Sequence, residues 1–411
     1  MKLWRKTVGL TAAGLVGLLL SLVLYLDFVG WPAWLRASAR QFLAERGANL
    51  EFESLRGGWF RDLRISQPTL YDGFGEDAPA MLESESLRLE SRLWQWPLGR
   101  PRSTALLLQN GTLTVPLGGI SAPPQTGDRL VVKLETVDLR VEGGELRIPQ
   151  LTAEFMGISV AGDLLLRELP EVEISDKPLS WARLPWLARP DVQERLRELV
   201  SLAQDSRFDR LPGTAIAFSL DLDARNPLAA RLTGSFDFPE LVHRGIPLFN
   251  LRGDFTAADN RWQVRDLQVR IGRHDLTGDF IWNRESDELA LRCAGRIDPD
   301  LALQWLDAPP PDWMAAVDFR RPPRFEIEFS GPLAQPADGR LQAFVAADHL
   351  TWQNLRILHT QGVLHYRDGH FELENGQATI GGWPSASLEI GGRGIYDPHR
   401  ERVSMQVTGT G

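Results

Sequence analysis

Residues capable of chemistry are present, but not at the spacings that chemistry requires. The chain has 7 histidines, and the tightest group is His359, His365 and His370. A zinc site needs three or four ligands converging on one point. These three fall on two strands of a predicted hairpin, with no carboxylate partner set by spacing, so they read as a solvated strand face. Asp221 with Asp223, and Glu326 with Glu328, are paired carboxylates of a kind used in acid–base work. Each pair sits two residues apart in an alternating run, where it is the polar half of a strand. Cys293 is the single cysteine, which rules out an intrachain disulfide, a cysteine-rich zinc site and a redox thiol pair. Inside "LALRCAG" it reads as a small strand residue. "GGRGIY", Gly391 to Tyr396, leads into no helix and lacks the Lys-Ser/Thr ending of a phosphate loop, so a strand bulge or bend is expected there. With no nucleophile elbow and no HExxH, the expectation is a non-enzymatic protein with neither metal nor cofactor.

The elements that would position such residues are mostly strands. "FSLDLD" (Phe218 to Asp223), "FEIEF" (Phe325 to Phe329), "SLRLES" (Ser86 to Ser91) and "RVSMQV" (Arg402 to Val407) alternate apolar and polar side chains. Such a period of two predicts antiparallel sheet with one dry and one wet face. Asn110-Gly111, Gly143-Gly144, Asp259-Asn260 and Asp368-Gly369 are expected to turn the chain between strands. Helical pattern is confined to islands, Pro190 to Gln204 and Asp298 to Asp307, which are expected to close the ends of β units.

The strands recur in copies. Gly253, Asp259, Trp262, Val264, Ile271 and Gly272 match Gly362, Asp368, Phe371, Leu373, Ile380 and Gly381 at one offset, 362 − 253 = 109. Pro227, Arg231, Leu232 and Leu241 keep it with Pro336, Arg340, Leu341 and Leu350. An earlier copy, Gly144, Leu146, Ile148, Leu151 and Phe155, precedes Asn260, Trp262, Val264, Leu267 and Ile271 by 260 − 144 = 116. Units that cannot bury a dry face alone stack on their neighbours, giving an elongated object on the order of 70 to 90 Å at ~4.8 Å per strand. The final copy stops where the previous one enters its helix, which predicts a chain cut short of further units.

The amino terminus is of another kind. Lys2, Arg5 and Lys6 precede an uncharged run from Thr7 to Leu26, about the ~20 residues that cross a bilayer. The positive flank should remain cytoplasmic, and Trp4, Trp31 and Trp34 occupy aromatic-belt positions. "ASA" at Ala37 to Ala39 loosely matches a signal-peptidase site. The apolar run is longer than a signal core, however, and that site lies well past its end, so a retained anchor is the preferred reading. Leu35, Ala39, Phe42 and Leu43 then form one face of a short helix expected to lie on the outer membrane surface. A net charge of −9 without basic blocks removes the footprint of nucleic-acid binding.

The order anchor, short helix, "LAERGANLEFESLRGGWFRDLRISQPTLYD", "LESESLRLESRLWQWPLGRPRSTALLLQNGTLTV" resembles the start of AsmA/TamB-like envelope proteins, best over residues 30 to 115. That resemblance implies a single-pass protein of the bacterial inner membrane with its bulk in the periplasm. Its fold would be mainly β, an elongated repetitive antiparallel sheet curled into a groove, with short helices between repeats. Its function would be to move phospholipid between inner and outer membrane and support outer-membrane integrity. The expected division is a cytoplasmic segment at 1–6, an anchor at 7–29, a juxtamembrane helix at 30–47, a first β unit at 48–168, a helical insertion at 169–213, a β repeat at 214–323 and an incomplete repeat at 324–411. Lipid contacts are expected from Phe218, Leu220, Leu222, Trp262, Val264, Ile271, Phe325, Ile327, Phe329, Leu388, Ile390, Val403, Met405 and Val407. A tethered scaffold binding other envelope proteins, with a closed lipid-free core, is the alternative. A secreted polysaccharide-binding β-protein is a third reading.

Overall fold

The computed structural model describes residues 17–74, 78–90, 103–116, 129–142, 144–168, 180, 197, 206–207, 215–223, 229–243, 245–306, 316–335, 338–367, 370–383, 386–397 and 402–410. Antiparallel strand dominates them. The chain divides into two units. The first is Met1–Gln204 with Phe218–Pro227, and the second is Asp205–Ala217 with Leu228–Gly411.

The first unit opens with helix α1 (Gly17–Phe28) and helix α2 (Ala33–Ala44), whose axes differ by 71°. Gly30, at φ +121°, and Pro32 lie between them, where a left-handed residue and an N-terminal proline redirect the chain. No single helix among the described residues is long and apolar enough to cross a membrane, whereas the bent pair is by length and composition. Residues 7–16 of the predicted span lie outside the described residues.

Strands β1 (Leu50–Glu51), β2 (Ser54–Arg56), β3 (Leu63–Ser66) and β4 (Thr69–Tyr71) lead into β5 (Ala80–Glu90). Both β3 and β4 pair with β5, one on each half of it, because Gln67 at φ +47° breaks the line between them. The meander then runs through β6 (Ser103–Pro116), β7 (Arg129–Glu142), β8 (Glu145–Phe155) and β9 (Ile158–Arg167). Asn110-Gly111 does not turn the chain. It lies inside β6, with Asn110 in the left-handed region at φ +50° and both flanking residues still paired to β7. The small core of this unit gathers Phe52, Leu55 and Ile65 under Trp31 and Ala39, so α2 covers one margin of the sheet.

Strand β10 (Ser206–Arg207) pairs with β12 (Arg231–His243), and β11 (Ala215–Asp223) is divided between the units at Phe218. From β12 the second unit meanders through β13 (Ile246–Ala258), β14 (Arg261–Ile271), β15 (His274–Asn283) and β16 (Glu288–Arg296). Helix α3 (Pro299–Leu306) and the short β17 (Val317–Phe319) follow. The meander resumes with β18 (Arg324–Pro332), β19 (Arg340–Trp352), β20 (Leu355–Arg367), β21 (His370–Trp383), β22 (Ala386–Asp397) and β23 (Arg402–Thr410). The helix expected at Asp298 to Asp307 is thus α3. The one expected at Pro190 to Gln204 lies outside the described residues except for Arg197, which is helical.

The repeat is visible in strand boundaries. Strands β11, β12, β13 and β14 begin at 215, 231, 246 and 261, and β18 to β21 begin at 324, 340, 355 and 370, a displacement of 324 − 215 = 109 each time. Strands β8 and β9 precede β14 and β15 by 261 − 145 = 116 at both ends. The irregularities recur too. Register shifts fall between Ile148 and Leu151, Val264 and Leu267, and Leu373 and Gly376, and the extra residue takes positive φ at Asp266 and Asn375. Each shift faces a glycine, Gly162, Gly278 or Gly392. A bulge adds one residue, so Ile148 and Leu151 share a face although three positions apart. Asp259 and Asn260, both at positive φ, form the two-residue turn joining β13 to β14.

Candidate functional site: a continuous apolar sheet face

Directly opposed residues of antiparallel strands point to the same side of the sheet. The pairings can therefore be followed across strands. In the first unit one row runs Ile65, Leu87, Leu108, Val137, Leu151, Gly162, and another runs Leu70, Leu82, Leu113, Val132, Phe155, Ile158. Every member is apolar or glycine.

The second unit extends the pattern further. Val264 opposes Phe280, and the row continues through Leu291, Phe329, Leu341, Tyr366, Phe371 and Tyr396 to Val403. The adjacent row runs Leu267, Gly278, Cys293, Ile327, Ala343, Leu364, Leu373, Gly394, Met405. These rows cross from β14 to β23, about 38 Å at ~4.8 Å per strand step. Tyr366 and Phe371 stack with ring centroids 4.7 Å apart.

Most of this face is half-buried, and Trp262 (41%), Val345 (41%) and Val407 (55%) are exposed. Ala343, at 5% exposure, is buried within a row, and most other fully buried side chains of this unit collect at the margin. Leu241, Ile246, Leu248 and Ile271 form a core with Leu301 of α3, and Ala347, Leu350 and Ile357 form another with Val317 and Phe319 of β17. The short elements close the margin and leave the rows open among the described residues.

The expected contact residues distribute accordingly. Trp262, Val264, Phe325, Ile327 and Phe329 lie on the row-bearing face. Phe218, Leu220 and Leu222 are half-buried on β11, and the Phe218 ring lies against Gly162. Leu388 is 42% exposed opposite Ile380, half-buried Ile390 opposes Ala378, and Val407 opposes Gly392. Val403 and Met405 hold register positions on β23, and their side chains lie outside the described residues. Ile271 departs from the others. At 4% exposure it belongs to the core under α3 and offers no free surface. Phe280, Leu291, Leu341 and Tyr366, and all of the first-unit rows, join the face beyond the residues expected from sequence. The same alternation marks them, but only the pairing shows that they connect.

The opposite face is charged. Arg292 pairs with Glu328 at 3.0 Å, Arg270 with Asp275 at 2.7 Å, and Lys133 with Glu154 at 3.2 Å. These exposed pairs add little stability, of order 0 to 1 kcal/mol each, but they keep that face in water. A concavity of about 1250 Å³ in the second unit is walled largely from this side, by residues such as Gln263, Arg265, Asp279, Glu328, Gln342 and Glu372. Over this stretch the concavity is lined mainly from the polar side, with Phe280, Leu291, Phe329, Leu341 and Tyr366 of the apolar row also reaching it. A two-residue alternation assigns side chains to two faces without saying toward which one the sheet bends.

The chemically capable residues have structural partners. His359 Nδ1 lies 2.7 Å from the Asp348 carboxylate directly across β19 and β20, and His365 Nε2 is 3.6 Å from Glu374. Cross-strand register thus supplies the carboxylates that linear spacing did not. The hydrogen bond with His359 is the main cause holding Asp348 below its ordinary pKa. Asp221 pairs with Arg167 at 2.8 Å. Burial pushes the Cys293 thiol up, toward the protonated, unreactive form. Among the described residues no group of three or more His, Cys, Asp or Glu is placed to hold a metal ion. "GGRGIY" falls within β22, facing the β21 bulge.

No protein family, no curated protein and no solved structure matches the chain.

Proposed function

We propose that the apolar rows are a binding surface for phospholipid acyl chains, on a protein held at the inner membrane by its amino-terminal apolar run, and that the surface conducts lipid between inner and outer membrane. The observation that carries this reading is the unbroken in-register row from Val264 to Val403. Water against the uncovered part of so long a half-buried apolar strip is costly, and contiguous apolar surface left to solvent marks binding sites. The ligand has the matching need. About thirty methylenes of a phospholipid held in water cost on the order of 25 kcal/mol, at ~0.8 kcal/mol each. Neighbouring rows offer the same chemistry at each strand step, so a chain can shift along the face without meeting a polar barrier. The uncharged Thr7 to Leu26 segment of the same chain supports a membrane source for the ligand.

Photocrosslinking tests it. Probes at Ile327, Phe329 and Leu364 in the detergent-extracted 411-residue chain should give phospholipid adducts by mass spectrometry, whereas probes at Glu328 and Gln342 should not. Adducts from the polar positions alone would refute the proposal.

A further inference from the structure

We infer that the turn Gly57–Arg61 is a second membrane-contact element, seated at headgroup level and latched there to the end of the apolar helix. This inference rests on reading the run that ends at Leu26 as membrane-inserted. Asp27 is 3% exposed, and its carboxylate accepts hydrogen bonds from the backbone N–H groups of Trp59 (2.9 Å) and Phe60 (2.6 Å). The Gly57 N–H donates to Leu26 O at 3.3 Å, and the Trp31 indole N–H donates to Gly57 O at 3.0 Å. Trp31 N–H reaches Leu55 O at 2.8 Å. A carboxylate at a helix C-terminus opposes the helix dipole. Its retention here is explained by the two donors it receives, which are charge-assisted bonds in a desolvated place.

The turn is shaped to receive this latch. Gly57 has φ +84°, and a Cβ added there would sit 2.2 Å from Asp62 O, so only glycine fits. What the turn presents outward is aromatic. Phe60 is 55% exposed, Trp59 37% and Phe28 54%, with the Arg61 guanidinium 4.0 Å above the Phe28 ring. Hydrogen bonds to residues 26 and 27 place Trp59 and Phe60 within a side chain's length of the level at which the helix leaves the hydrocarbon. Aromatic side chains are most favourable at that depth, and a cation beside them meets phosphate headgroups. A free aqueous turn gains nothing from two exposed aromatics, whereas an interfacial one gains binding area. The latch also fixes the direction in which the first strands leave the membrane.

Cys293 being the only cysteine, the 411-residue chain carrying Cys293→Ser and Phe60→Cys has one label site. Labelled with bimane and reconstituted in vesicles of phosphatidylethanolamine and phosphatidylglycerol, it should be quenched by lipids doxyl-labelled near the headgroup. It should also be shielded from aqueous iodide. Adding Asp27→Asn should cut the lipid quenching by about twofold or more, since one acceptor oxygen of the latch is lost, while the chain stays with the vesicles. Quenching by iodide and not by lipid, in a chain that floats with vesicles, overturns the inference and leaves the anchor reading intact. A chain that does not float with vesicles overturns both. Unchanged quenching in the Asp27→Asn chain refutes the latch.

Discussion

Replacing Val345 with aspartate distinguishes an open apolar face from one covered by part of the chain. Val345 sits mid-sheet on β19, directly between Phe325 on β18 and Gly362 on β20, and is 41% exposed. Full burial of a valine stabilises by about 1.5 to 2 kcal/mol, so the fraction of it covered here is worth roughly 1 kcal/mol. The lower strand preference of aspartate adds up to about 1 kcal/mol. On an open face the carboxylate keeps its water, and the total stays near 2 kcal/mol. For a unit of this size that lowers Tm by about 4 to 8 °C. Under a covering segment the same carboxylate would be buried unpaired, at a cost of several kcal/mol more. Thermal melts followed by circular dichroism read the first quantity, and lipid co-purifying with the chain reads the second. The expected result is a folded variant with a modestly lowered Tm and lipid recovery reduced about tenfold, the effect of 1.4 kcal/mol of lost affinity. Outright unfolding, or a folded variant with undiminished lipid, would refute the reasoning.

Gly162→Val should destabilise the first unit by about 3 kcal/mol, because a Cβ there would lie 2.5 Å from Phe218 O and 2.8 Å from its ring carbons, leaving nothing flexible to yield. A urea midpoint unchanged from the parent would refute the close approach of Phe218 to Gly162. Cys293 should react with an aromatic disulfide reagent at pH 8 at least about tenfold more slowly than free cysteine, since burial raises its pKa and only the thiolate attacks. The sign carries over to stability. The contribution of the protonated thiol is present below the unfolded pKa and is lost as pH rises through the raised folded value. Reaction at the rate of free cysteine would show that partial burial in the row does not hold the thiol protonated.

Much of this architecture was legible in the sequence. Alternation in "FEIEF" placed Phe325, Ile327 and Phe329 on one face, and the offset of 109 anticipated strand starts that the fold reproduces from β11 to β21. Asn110-Gly111 was misread because the residue pair that favours positive φ in a two-residue hairpin also suits a left-handed kink inside a strand. Only the partner strand decides between them, and β7 runs unbroken past Asn110. Ile271 was misread for a related reason. Its pattern is that of its row neighbours, and what buries it is α3, reached by the chain some thirty residues later. The bending direction was not legible at all, since it arises from bulge placement and twist, to which side-chain alternation is blind.

The bulges connect these points. A strand without one keeps a strict period of two, so any single inserted residue would send every later apolar side chain to the wet face. Here the insertion falls at the same place in three copies and is met each time by a glycine on the next strand. The glycine is required by contact, since a Cβ on Gly278 would lie 2.7 Å from Arg292 O and one on Gly392 2.7 Å from Gln406 O. Bulge and glycine together let the sheet bend while Val264 and Leu267, or Ile148 and Leu151, stay on one side. Single-strand hydrophobicity would have been satisfied by a straight sheet. What the recurring pair preserves is continuity of the apolar rows between strands, the property that the proposed passage of an acyl chain would draw on more than depth.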